Sequence, residues 1–191
     1  MEQRQLALIG GILLISLAGL LKWYADYKPN GSTGPVVQEY LIPDTIIDDI
    51  SQTAFDQNGW RDYTLEATKA SHFQSQNKAQ FVSPTITFFD TNELRWTAQA
   101  DTGETNDNGD TLTLVGSVSF SQHNTARDPI TLTTEQVQIS PKLQTAETDH
   151  PVSIQQGNHQ TKATGLRIDM TAGKITLLSK VTSHYEPRKK Q

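Results

Sequence analysis

The chain carries many titratable side chains, and none of them is spaced as a reaction centre. Its five histidines, His72, His123, His150, His159 and His184, are scattered without metal-ligand spacing, as solvent-facing strand or loop positions would be. Asp107-Asn108-Gly109-Asp110 has the composition of a calcium loop. It lacks the ligand order and flanking helices of one, so a tight turn is expected there. There is no nucleophile elbow, phosphate-binding loop or dinucleotide fingerprint. A β-fold hydrolase built on Asp101 and Asp110 is the weakest of the available readings. With no cysteine in 191 residues, disulfides, zinc knuckles and thiol chemistry drop out. The net charge of −5 argues against a nucleic-acid partner, which calls for a basic excess. The expectation is a non-enzyme without cofactor or metal, so function must be sought in what the domain holds or joins.

The element best able to position such a domain is the first. Leu6 to Leu21 is an uncharged apolar stretch in an otherwise polar, Thr-rich chain. A membrane span needs about 20 apolar residues. Trp23, Tyr24 and Ala25 extend the stretch, and Lys22 can snorkel to the interface. Ser16-Leu17-Ala18 resembles a cleavage site, but the preceding segment is poorly basic and apolar residues continue past the cut. Residues 6–25 therefore read as an uncleaved single-pass anchor behind a short cytoplasmic N-terminus (1–5), with the rest in the periplasm of a bacterial envelope. Ala7, Gly11 and Ala18 fall close to one helical face, where small residues let another membrane helix approach.

Residues 26–44 carry Pro29, Gly31, Gly34, Pro35 and Pro43 and read as a linker, and Pro43 to Ile50 offers at most one helical turn. Beyond that, alternation dominates. Tyr63, Leu65 and Ala67 alternate, as do Ile86 and Phe88, Trp96, Ala98 and Ala100, Val137 and Ile139, and Leu166, Ile168 and Met170. Leu112, Leu114, Val118 and Phe120 share one parity, and so do Ile175, Leu177, Val181 and Tyr185. Period two with β-branched and aromatic residues predicts half-buried strands throughout. Ala100–Phe120 can be laid on Thr134–Ile154 at an offset of 34 residues, a weak repeat that suggests stacked β-units. Gly59, Gly116 and Gly165 fit places where the backbone bends. The expected fold is a folded-over antiparallel sheet over residues 45–186, apolar inside, with two exposed ends and a solvated basic tail at 187–191.

Taken in order, several segments resemble the LptC family of lipopolysaccharide export proteins. They are Ser83-Pro84-Thr85-Ile86-Thr87-Phe88-Phe89-Asp90, Trp96 to Asp101, Leu112 to Val118, Ile130 to Thr134, Thr164-Gly165-Leu166 and Lys180 to Glu186. The resemblance implies an all-β, twisted open β-jelly-roll preceded by one transmembrane helix. It further implies a relay that receives lipopolysaccharide from an inner-membrane ABC transporter (LptF/LptG) and passes it to the periplasmic bridge protein LptA. Ile50, Phe81, Ile175 and Tyr185 would face the lipid, and Phe88, Trp96 and Phe120 would line the same interior. Ile175, Leu177, Val181 and Tyr185 would form the partner-binding edge. The second reading is a membrane-anchored adaptor that assembles an envelope complex by strand pairing without holding lipid.

Overall fold

The structure, a computed structural model, describes residues 42–90, 93–106, 109–122 and 128–185. The expected anchor with Ala7, Gly11 and Ala18, most of the linker, the basic tail, and Asp107, Asn108 and His123 lie outside the described residues. No helix among the described residues is long and apolar enough to cross a membrane.

Eleven antiparallel strands form one sheet: β1 (Thr45–Phe55), β2 (Arg61–Phe73), β3 (Lys78–Val82), β4 (Thr85–Asp90), β5 (Glu93–Gln99), β6 (Thr102–Thr105), β7 (Leu112–Gln122), β8 (Ile130–Ser140), β9 (Thr145–Gln156), β10 (His159–Asp169) and β11 (Lys174–His184). Among the described residues the only helical pieces are the 3-10 turns Gln74–Gln76 and Pro141–Leu143. The helical turn entertained for Pro43 to Ile50 is corrected, because Thr45 onward is strand β1. Its three isoleucines are β-branched and pair with Ser71, Ala70 and Ala67 of β2, and that pairing outweighs any local turn.

The long strands belong to two layers at once. The first half of β2 pairs β4 and its second half pairs β3. The first half of β7 pairs β6 and its second half pairs β5. Register breaks fall between Val115 and Val118 on β7, Thr134 and Gln138 on β8, and Thr164 and Leu166 on β10. Left-handed backbone occurs along the same line, at Asp49, Ser83, Gly116, Ser117, Gly165 and Lys180. A row of bends and bulges thus crosses the sheet and folds it over. Layer 1 takes β4, β5 and one half of each long strand; layer 2 takes β3, β6 and the other halves. The expected 34-residue offset is the period of the meander. It carries Leu112 and Phe120 of β7 onto Ala146 and Ile154 of β9, two strands along and running the same way.

Gly165 is a bend that only glycine fits. Its φ is +78°, and an added Cβ would lie 2.9 Å from Cδ1 and 3.2 Å from Cβ of Leu178. The left-handed backbone alone strains a side chain there, and the contact with Leu178 on β11 adds a clash. Gly165→Ala is expected to cost about 1–3 kcal/mol. Urea unfolding should show a lower midpoint at an unchanged slope.

Candidate functional site

The interior between the layers is the largest apolar feature of the domain. Phe88, Trp96, Phe120, Leu114, Leu132, Ile139, Leu166 and Ile168 are all buried to 1% exposure or less. Trp96 meets Phe120 edge-on at 6.3 Å, and Tyr63 tilts against Phe88 at 6.1 Å. The centre is therefore sealed by close packing.

Burial relaxes toward both ends. On layer 2 the register links Ile47 to Ala70, Ala70 to Phe81, Phe81 to Gly103, Gly103 to Leu114 and Leu114 to Val137. The row continues on β9–β11 through Thr148, Leu166 and Leu177. It begins at Ile47, 46% exposed, passes residues below 8%, and ends at half-buried Leu177. Paired residues share a face, so this is one nearly unbroken apolar track. It runs from β1 to β11, which among the described residues pair only β2 and only β10. Strands lie about 4.8 Å apart, so nine of them carry the track roughly 40 Å.

The residues singled out from sequence occupy different parts of this interior. Phe88, Trp96 and Phe120 sit in the sealed centre of layer 1, and Phe81 is a buried member of the layer 2 track. Ile50 and Ile175 are half-buried and pack on the core from the two edge strands, as does Leu177. Val181 is 52% and Tyr185 71% exposed. The ring of Tyr185 lies flat on His159, 4.5 Å between centroids. Ile47, Ala70, Gly103, Leu114, Val137 and Leu166, also on the track, were missed as site residues. On β2 and β8 the signal is a parity switch across the bend, Leu65 and Ala67 giving way to Ala70, and Leu132 and Thr134 to Val137.

Charged chemistry stays outside. Asp110 binds Lys142 at 2.8 Å, and Asn106 Oδ1 accepts from the N–H groups of Asp110 and Thr111. Asp101 lies at the other end of β6, its N–H donating to Gly116 O at 2.9 Å. The hydrogen bonds of Lys78 and Gln80 to Glu104, at 2.8 and 3.1 Å, hold that carboxyl below its ordinary range. Among the described residues no group of three or more His, Cys, Asp or Glu is placed to hold a metal. One polar contact joins the outer margins of the two layers: Gln144 Nε2 donates to Asp62 Oδ1 at 2.5 Å. No sequence signal links two positions 82 residues apart.

The fold is similar to that of a solved periplasmic protein of Pseudomonas aeruginosa, LptH, described as the LptA homologous component of the lipopolysaccharide transport device. The match has a TM-score of 0.52 at 12% identity and covers 65% of this chain and 95% of that one. A comparison with curated proteins finds no match. The LptC-related lipopolysaccharide-assembly family model matches residues 11–186. The chain, an apolar-lined, two-layered β-domain whose edge strands are unpaired on their outer sides among the described residues, is matched over residues 11–186 by that model and belongs to the LptC-related family of lipopolysaccharide assembly.

Proposed function

We propose that the domain relays lipopolysaccharide. It takes lipid extracted from the inner membrane by the LptF/LptG transporter at its β1 end and hands it to LptA at its β11 end. The carrying observation is the apolar track from one free sheet edge to the other. A lipid with several acyl chains cannot cross water unaided, since each exposed CH₂ costs about 0.8 kcal/mol relative to burial. A folded sheet shields chains while its backbone groups stay paired. Free edges are ordinarily an aggregation liability, but in a relay they act as joints, because strand addition continues one groove into the next. Residues 6–25 would be the inner-membrane anchor of the same machine, with Ala7, Gly11 and Ala18 facing the transporter's helices.

The centre is sealed, so chains passing it must part the layers at the margin bridged by Asp62 and Gln144. Photo-crosslinkers at Phe81 or Ile175 of the full-length protein are expected to capture lipopolysaccharide. Crosslinkers at Thr113 or Ser119, of opposite parity to Leu112, Leu114 and Phe120, are expected to stay unlabelled. Equal labelling of both sets would reject the groove and leave the adaptor reading, in which the edges join partners and the interior is only core.

A further inference from the structure

The two inner faces differ in chemistry toward the β11 end. On layer 2 the inward residues there are apolar Ala146, Leu166, Ile168, Ile175 and Leu177, together with Thr148, whose hydroxyl is spent on Gln136 O at 2.6 Å. On layer 1 the apolar row through Phe120, Leu132 and Ile154 runs on into Thr161 and Ser183. The neighbouring row runs from Trp96 through Gln122, Ile130 and Gln156 to His159. Gln122, Gln156, His159 and Thr161 are half-buried, and a polar inward position costs stability unless it is hydrogen-bonded. Thr161 and Ser183 hydroxyls bond each other at 2.9 Å, and Gln156 donates to Asp128 O at 3.3 Å. His159 Nδ1, at the β11 end of the second row, is buried without a hydrogen-bond partner. An orphaned polar atom of this kind is costly in a surface that is only core, and it stands beside the half-buried amides and hydroxyls of the same two rows.

We propose that this inner face of layer 1 is a polar subsite, which holds the hydroxyl- and amide-bearing saccharide head of an acylated lipid while its chains lie on layer 2. The inference rests on the relay reading and adds the orientation of the lipid. The amides and hydroxyls offer donors and acceptors together, matching sugar hydroxyls and N-acyl groups. The two rows carry no Lys, Arg, Asp or Glu from Gln122 to Ser183, so the match is to neutral polar groups rather than phosphates. Layer 2 faces the same space with aliphatic side chains, so an amphiphile has one orientation that leaves neither part mismatched.

The chain contains no cysteine, so Thr161→Cys or Leu177→Cys places a single polarity-sensitive fluorophore on either layer of the full-length protein. Each labelled protein is titrated with intact lipopolysaccharide, with its deacylated saccharide and with lauric acid. The Leu177 label is expected to respond to intact lipid and lauric acid. The Thr161 label is expected to respond to intact lipid and, at higher concentration, to the saccharide, but not to lauric acid. Unlabelled protein carrying Gln156→Leu with Thr161→Val should bind intact lipopolysaccharide about tenfold more weakly and lauric acid unchanged, as the loss of two neutral hydrogen bonds implies. A Thr161 label that follows lauric acid as the Leu177 label does, or a double variant with unchanged lipopolysaccharide affinity, overturns the subsite and leaves the relay standing. Intact lipopolysaccharide that moves neither label overturns the relay reading and the subsite with it.

Discussion

Phe120→Ala is expected to remove about 3–5 kcal/mol of stability, the usual range for emptying a buried aromatic position. Phe120 is fully buried, stands between Ala98 and Leu132 on its neighbouring strands, and takes the edge of Trp96. Domains of this size are stable by about 5–15 kcal/mol, so the variant should lie close to its unfolding threshold. Val181→Ala, at a half-exposed inward position on the free edge, should cost under about 1 kcal/mol. Urea titration of both variants checks the contrast. A Phe120→Ala loss below about 1.5 kcal/mol would mean that the centre is loosely packed and already able to admit chains. The expected contrast divides the interior into a centre that holds the two layers together and ends where a guest meets little resistance.

Much of this division is written in the alternation. The inward sets Leu112, Leu114, Val118 and Phe120, then Leu166, Ile168 and Met170, keep a strict period of two, and each is buried. Strands of that kind are visible because one face must leave water. Gly116 and Gly165 were legible as bends for the same reason, standing inside strand patterns that glycine otherwise weakens. β1 was harder to see: all of Thr45–Asp49 is exposed, so no apolar parity marks it, and it is a strand because β2 offers it an edge. The short strands β3 and β6 are set by pairing with each other inside layer 2 after the chain has passed through β4 and β5 of layer 1, which no local pattern reveals. Groove and core could not be told apart because they are one surface. The residues differ only in distance from the free edges, a property of strand order.

The largest functional effect is expected at the C-terminal edge. β11 pairs only with β10, and in the proposed relay LptA adds its first strand there. Lys162 stands opposite Thr182 and Thr161 opposite Ser183. Neighbouring pairs of an antiparallel ladder alternate between bonded and non-bonded, so one of these two β11 N–H groups points at β10 and the other points outward. Proline at the inward one breaks the β10–β11 ladder and should lower thermal stability. Proline at the outward one removes a donor from the joint alone and places its ring where the incoming strand must lie. That second variant is expected to keep its melting temperature and its association with LptF/LptG while losing LptA binding by about tenfold or more, the loss of a hydrogen bond plus a steric clash. Deleting residues 175–191 should abolish LptA binding outright. The truncation also uncovers Leu166 and Ile168, which are fully buried beneath β11, so the proline pair is needed to separate a lost joint from a damaged fold. If the fold-neutral proline still captures LptA at wild-type affinity, lipid does not leave this domain by strand addition at β11, and the exit must be sought at the margin bridged by Asp62 and Gln144.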